Sequence, residues 1–203
     1  MLDQKLNIFF KPVLKKIATI LLKYQISPNQ ITLFSFILGI FCFIFLSLKM
    51  IYIALIFFLL NRLFDGLDGT LARLKKPTDL GGFYDIISDF LIYALLPFGF
   101  ILFDNNNFLS MSLLLTSFIG TCATFLTTAW IFEKKKIKIE QLSKKSFFYS
   151  EGLIEGSETI ILFISMFIFY ELASFIAWIF ALLCFLTTIM RVVKVSRILN
   201  SIN

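Results

Sequence analysis

The sequence predicts an all-α integral membrane protein of six transmembrane helices preceded by an N-terminal amphipathic helix at the membrane interface. Three observations carry that expectation. The first is composition: of 203 residues, 59% are hydrophobic and 16% charged, with a mean hydropathy of +0.89, far from the balance of a soluble domain. The second is a set of six apolar runs, each long enough to be read as crossing a hydrocarbon core of about 30 Å. The third is the placement of charge, which collects the basic residues on one side of those crossings.

Taken in order, residues 1–24 form the juxtamembrane arm. Lys11, Lys15 and Lys16 interrupt any stretch that could serve as the apolar region of a signal peptide. Leu2, Leu6, Phe9, Val13, Ile17 and Ile20 recur at three- and four-residue intervals, which places them on one helical face and predicts a surface-lying helix kinked at Pro12. Residues 25–203 form the membrane domain, with spans at 31–48, 51–72, 82–103, 108–132, 156–170 and 173–193. Six crossings from an internal N-terminus put the arm, residues 73–81, residues 133–155 and the C-terminal tail on the cytoplasmic side. Counting Arg191 at the inner end of the last span, every one of the 19 Lys and Arg residues except Lys49 and Arg62 falls in those regions, as the positive-inside rule requires. The net charge of +6 therefore reflects orientation in the membrane and anionic headgroups, with no folded basic domain for nucleic acid. The placement expected is a multi-pass protein of the cytoplasmic membrane with its polar site facing the cytoplasm.

Composition also limits the chemistry. Cys42, Cys122 and Cys184 each sit in an apolar run without metal-ligand or disulfide spacing. Histidine is absent, which removes the commonest general base and transition-metal ligand. Carboxylates, Lys, Arg and hydroxyls are what remain.

They concentrate in the second and third spans, as NRLFDGLDGTLAR at 61–73 and TDLGGFYDIISD at 78–89. Asp65 and Asp68 are three residues apart, with Gly69 and Ala72 continuing the same helical stripe, and Asp85 and Asp89 are one turn apart on the next span. Each Asp at the centre of a membrane helix costs about 2.5–3.5 kcal/mol on insertion scales, so four that repel one another need compensation. Divalent ions provide it, and an all-carboxylate set selects Mg²⁺ or Mn²⁺ over zinc or copper. Gly66, Gly69, Gly81 and Gly82 leave bare backbone beside the acids, open to close approach by a flat or phosphorylated group. Arg62, one turn before Asp65, is placed to neutralise part of the cluster.

At these residues the sequence resembles the CDP-alcohol phosphatidyltransferase family, through Asp65, Asp68, Gly69, Ala72, Arg73, Gly81, Asp85 and Asp89. The likeness extends upstream to SPNQIT at 27–32, similar to the family's Pro-Asn-x-x-Thr stretch at the first membrane helix. One departure is that seven residues separate Arg73 from Gly81, where many members have eight. The resemblance implies that Asp65, Asp68, Asp85 and Asp89 hold two Mg²⁺ or Mn²⁺ ions and that Asp89 is the catalytic base. It implies donor contacts along Asn29, Gln30, Ile31 and Thr32, and at Gly69, Ala72, Arg73 and Thr78. The reaction implied moves a phosphatidyl group from CDP-diacylglycerol to an alcohol and releases CMP. Two metals would suit the donor's pyrophosphate, Arg73 its phosphates, and a positioned Asp89 the acceptor's proton. A homodimer is also implied.

The acceptor is less legible. Glycerol 3-phosphate is the acceptor favoured, with inositol phosphate or an amino alcohol as alternatives, and the basic candidates are Lys135, within Lys134–Lys136, and Arg191. Plain positive-inside anchoring explains the lysines equally. Glu151, Glu155 and Glu158 form an acidic stripe that could orient those cations, meet an amine or polyol directly (Glu155 being the acceptor candidate), or complement a helix dipole. Gly152 and Gly156 have the spacing of close helix contacts. The competing class is a divalent-cation transporter, which accounts for intramembrane acids but not for Gly69, Ala72, Arg73 or the N-terminal match.

Overall fold

A computed structural model describes residues 2–137, 154 and 156–202. Within them the chain forms seven α-helices: α1 (Leu2–Lys23), α2 (Pro28–Ser47), α3 (Ile51–Lys75), α4 (Asp79–Phe103), α5 (Phe108–Lys134), α6 (Gly156–Ile168) and α7 (Ala173–Ile202). Short 3₁₀ turns at Asn105–Asn107 and Tyr170–Leu172 introduce α5 and α7. Four stretches are long and apolar enough to cross a membrane: Pro28–Ser47, Asp79–Phe103, Asn105–Lys134 and Tyr170–Ser201. The two other expected spans differ for separate physical reasons. At 25 residues α3 is long enough, but its C-terminal half carries Arg62, Asp65, Asp68 and Arg73. The 13 residues of α6, at about 1.5 Å each, fall short of the hydrocarbon core.

Helix starts are written locally. Ser27 and Gln30 close a capping box: Gln30 N–H donates to Ser27 Oγ at 3.3 Å and Ser27 N–H to Gln30 Oε1 at 2.8 Å, with Pro28 in the first turn. Thr78 caps α4, its Oγ1 accepting from Gly81 N–H at 3.1 Å. Between helices, Gln25 and Lys49 take left-handed φ values of 57° and 64°, reversing the chain where a glycine would ordinarily stand.

The core is aromatic. Phe58, Phe100, Phe163, Phe167 and Phe180 are fully buried and meet largely edge-on or tilted, as in Phe58–Phe163 at 5.9 Å and Phe163–Phe180 at 5.5 Å. In lipid the apolar environment offers no gain from burial as such, so packing and close approach must hold helices together. Gly39 receives Ile92, Gly99 receives Leu46 and Phe43, and Gly120 receives Thr188. The outward surface carries Leu33, Phe41, Tyr52, Ile119 and Phe175, all well exposed, as a chain surrounded by acyl groups requires.

The first helix runs unbroken from Leu2 to Lys23 with Pro12 inside it, so the expected kink does not divide it. Its packed face is Leu14, Ile17, Ala18, Leu21 and Leu22, set against Ile31, Phe64, Leu67 and Leu71. Val13 and Ile20 are 57% and 47% exposed. The helix thus carries two neighbouring apolar strips, one spent on α3 and the other turned outward.

Candidate functional site

The polar ends of α3 and α4 lie together. Asp65, Asp85 and Asp89 each bring a carboxylate oxygen within 4.8 Å of the others. Asp68 is 3% exposed, and its Oδ2 is buried with no hydrogen-bond partner among the described residues. Such an atom is costly unless something cationic meets it. Three converging carboxylates and a buried fourth with an idle oxygen form a hard, all-oxygen donor set, so the residues fit divalent magnesium or manganese.

Arg62 is the cation the fold itself provides. Its side chain is 7% exposed, with Nη1 at 2.9 Å from Asp89 Oδ1 and 3.6 Å from Asp65 Oδ2. The same nitrogen donates to Tyr93 Oη at 2.9 Å, and Nε donates to Asn61 Oδ1 at 2.8 Å. Asn61 is in turn locked to α2: its Nδ2 donates to Ser35 O at 2.8 Å, and Ser35 Oγ donates to Asn61 O at 2.8 Å. One continuous set of bonds therefore fixes the α2–α3 contact and Asp89 together. Sequence reasoning identified Arg62 as a neutraliser but missed Asn61, Ser35 and Tyr93. The usable signals were adjacency for Asn61 and the one-turn spacing of Tyr93 beyond Asp89.

Two cavities meet at this cluster. The first, about 650 Å³, is lined by Lys11, Leu14 and Lys15 of α1 and by Asp65, Asp68, Gly69, Arg73, Asp85 and Asp89. The second, about 500 Å³, is lined by Asn29 and Thr32 of α2, by Asp68, Gly69, Ala72 and Arg73 of α3, and by Thr78, Gly81, Gly82 and Asp85 around the α3–α4 turn. They share Asp68, Gly69, Arg73 and Asp85. The glycines matter where the walls are close: a methyl on Gly81 would lie 3.0 Å from Thr78 Oγ1 and 3.1 Å from Asn29 Oδ1, and one on Gly69 would lie 3.4 Å from Arg73 Nη1.

Of the expected donor contacts, Asn29, Thr32, Gly69, Ala72, Arg73 and Thr78 line the second cavity. Gln30 and Ile31 line neither: Gln30 is engaged in the capping box and Ile31 is 6% exposed in the α1–α3 core. Of the acceptor candidates, Arg191 stands apart from the aspartates. Its Nη1 donates to Thr121 O at 2.9 Å and to Thr124 Oγ1 at 3.3 Å, in a separate cavity with Thr127 and Thr128. Lys135 caps α5 and lines neither aspartate cavity. Glu151, Gly152 and Glu155 lie outside the described residues; Glu158 is in the first turn of α6. Lys134 lies over the Trp130 ring at 5.0 Å, the pairing expected of an interfacial anchor. Among the described residues of α1, Lys11 and Lys15, which the sequence marks as part of the basic juxtamembrane arm, line the first cavity.

Comparison with known proteins places these features. Residues 25–190 match the family model described as CDP-alcohol phosphatidyltransferase. The chain is 46% identical over 193 residues to "Inner membrane protein YnjF" of Escherichia coli (strain K12), covering 95% of this chain and 94% of that protein. Over 91 residues it is 37% identical to an uncharacterized protein of Aquifex aeolicus (strain VF5), covering 44% of this chain and 46% of that one. Among solved structures, it shares its fold with the phosphatidylinositol phosphate synthase PgsA1 of Mycobacterium tuberculosis. The crystal structure with CDP-DAG bound superposes with a TM-score of 0.64 at 20% identity, covering 91% of this chain and 94% of that one. The complex of the same synthase with manganese and citrate gives 0.62 at 21% identity, over 90% and 88% of the two chains.

Proposed function

Because the chain belongs to the CDP-alcohol phosphatidyltransferase family, we propose that it transfers the phosphatidyl group of CDP-diacylglycerol to the hydroxyl of an alcohol and releases CMP. The observation that carries this reading is the junction of the two cavities at Asp68, Gly69, Arg73 and Asp85. The second cavity takes the nucleotide end of the donor, with Gly69, Ala72 and Gly81 leaving room for its flat base and Arg73 meeting its phosphates. Asn29, Thr32 and Thr78 supply polar contacts, while Gln30 and Ile31 act by fixing the start of α2. The donor's acyl chains remain in lipid.

The first cavity admits the acceptor. Asp65, Asp68, Asp85 and Asp89 would hold two Mg²⁺ or Mn²⁺ ions, which when bound neutralise the pyrophosphate and stabilise the departing nucleotide. Asp89 receives the acceptor's hydroxyl proton as the new oxygen–phosphorus bond forms to the lipid-side phosphorus. The bond from that phosphorus to the CMP oxygen breaks, CMP leaves with the electron pair, and the proton passes from Asp89 to solvent. Arg62 holds Asp89 Oδ1, which aims the carboxylate.

In this reading α2 to α7 make six crossings, α6 only together with the turn at Tyr170–Leu172 that continues it, and residues 1–24 lie along the cytoplasmic interface, with residues 25–203 as the catalytic membrane domain. The support is that the aspartates sit at the end of α3 and α4 that carries Arg73, Lys75 and Lys76, the side that basic residues mark as cytoplasmic. A homodimer in the cytoplasmic membrane completes it, on family resemblance.

The test is CMP release from CDP-diacylglycerol by protein in lipid nanodiscs, with and without Mg²⁺ or Mn²⁺, across phosphorylated and unphosphorylated alcohols. Metal-dependent release, lowered about 10²- to 10⁴-fold in Asp89→Asn at unchanged donor affinity, is expected. Failure to bind the donor would sink the proposal and favour divalent-cation transport.

A further inference from the structure

Arg62 faces two carboxylates and is hydrogen-bonded to one of them. Its Nη1 donates to Asp89 Oδ1 at 2.9 Å and to Tyr93 Oη at 2.9 Å. A guanidinium Nη carries two hydrogens, so both are engaged. Asp65 is left at 3.6 Å, beyond hydrogen-bond length. Yet Asp65 is the partner that the helix itself offers, because residues three apart are neighbours on its surface. What turns Arg62 away from it comes from other helices.

Two groups hold the guanidinium in that orientation. Asn61 Oδ1 accepts from Nε at 2.8 Å, and Asn61 is itself bonded to Ser35 of α2. Tyr93, one turn beyond Asp89 on α4, accepts the second Nη1 hydrogen and brings its ring to 5.0 Å from the guanidinium carbon, within cation–π range. The Tyr93 ring stacks on Phe163 of α6 at 6.0 Å and 11°, and Phe163 is fully buried. The aromatic core therefore sets where the phenol stands, independently of the aspartates.

This arrangement decides which carboxylates stay open to a cation. Asp65, Asp85 and Asp89 each bring an oxygen within 4.8 Å of the others. A hydrogen bond from Arg62 to Asp65 would set a guanidinium in competition with a divalent ion for that carboxylate. The Tyr93 hydroxyl takes the hydrogen that would make this bond.

We infer that Tyr93 is a positioning residue that keeps Arg62 on Asp89 and off Asp65, and so preserves Asp65 as a metal ligand. The inference rests on the reading of the aspartates as the divalent-metal site for phosphatidyl transfer. It deepens that reading by making metal affinity depend on a residue outside the aspartate pattern.

The experiment uses the full chain in nanodiscs of zwitterionic lipid, in the natural protein, Tyr93→Phe, Arg62→Met and the double variant. Mn²⁺ is titrated in and the free ion is read by its paramagnetic resonance signal, with no substrate present. Tyr93→Phe removes one oxygen and keeps the stacked ring, and thermal unfolding in chelator measures whether the fold is retained. A charge-assisted hydrogen bond redirected to Asp65 weakens Mn²⁺ binding about tenfold in Tyr93→Phe. In CMP release, the Mn²⁺ concentration for half-maximal rate rises by the same factor, while the donor KM at saturating Mn²⁺ is unchanged. Arg62→Met binds Mn²⁺ at least as tightly as the natural protein, and adding Tyr93→Phe changes nothing, because no guanidinium is left to redirect. A Tyr93 that served packing alone would weaken binding equally in both backgrounds. That equal loss, or an unchanged Mn²⁺ affinity in Tyr93→Phe, overturns the inference and leaves phosphatidyl transfer standing. Weakened Mn²⁺ binding in Tyr93→Phe without CMP release from any alcohol keeps the inference and removes the transfer reading. Absence of Mn²⁺ binding by the natural protein overturns both.

Discussion

Replacing Arg62 by Met keeps an unbranched side chain of similar reach but removes the buried positive charge, and the structure gives the size of the effect. The Arg62 side chain is 7% exposed and lies 2.9 Å from Asp89 and 3.6 Å from Asp65, with further bonds to Tyr93 and Asn61. Removing one partner of a fully buried ion pair costs about 3–5 kcal/mol and of an exposed one about 0–1 kcal/mol; with the Asp65 and Asp89 side chains 26% and 32% exposed, a loss of about 2–3 kcal/mol is expected. For a chain of this size each kcal/mol moves the melting temperature by about 2–4 °C, so metal-free Arg62→Met should melt about 4–12 °C lower. Arg62 and divalent ions answer the same carboxylates, so the variant should gain more from Mg²⁺ than the natural protein does. A ligand at a hundred times its dissociation constant contributes about 2.7 kcal/mol, and tighter binding to the variant adds to that. Thermal unfolding in nanodiscs, in chelator and in saturating Mg²⁺, measures both quantities. An equal loss of stability under the two conditions would refute the charge argument and leave Arg62 as a packing residue. A loss below about 1 kcal/mol, the range of exposed pairs, would remove even that.

The other expectations follow from single contacts. Asp68→Asn replaces the buried carboxylate whose Oδ2 is unpartnered among the described residues; it should abolish most of the Mg²⁺-induced rise in melting temperature while leaving the metal-free protein as stable or more so, and an undiminished rise would exclude Asp68 from metal binding. Gly81→Ala puts a methyl 3.0 Å from Thr78 Oγ1 and 3.1 Å from Asn29 Oδ1, and Thr78 cannot retreat without giving up the α4 cap, worth about 1 kcal/mol. Donor KM should rise about tenfold with the acceptor KM unchanged, as read from CMP release at varied CDP-diacylglycerol. Gly39→Ala drives a methyl into the Ile92 side chain and to 3.2 Å from Asn61 Nδ2, an overpacking cost of about 1–3 kcal/mol; adding Ile92→Ala should return part of it in thermal unfolding, and a strictly additive double variant would contradict the contact.

What could be read from the sequence divides by how local its cause is. The aspartates were legible because a three- or four-residue spacing fixes a helical face, and two helices joined by a turn must bring their adjoining ends together. Asp65, Asp85 and Asp89 accordingly converge within 4.8 Å. Within the string SPNQIT, Asn29 and Thr32 line the second cavity while Gln30 closes the helix cap, since a motif does not distinguish a residue that faces a cavity from one that holds the helix in place. The face of α1 was harder, because Val13 and Leu14 are both apolar and residues of other helices, Ile31, Phe64, Leu67 and Leu71, decide which of them packs. That choice sets Lys11 and Lys15 along the cavity that Asp65, Asp68, Asp85 and Asp89 also line. Arg191, a basic acceptor candidate, donates to the Thr121 carbonyl of its neighbour helix and lines a cavity separate from the two at the aspartates. Charge placement along a sequence therefore sets the side of the membrane expected for a cation, whereas helix packing decides which cavity it lines.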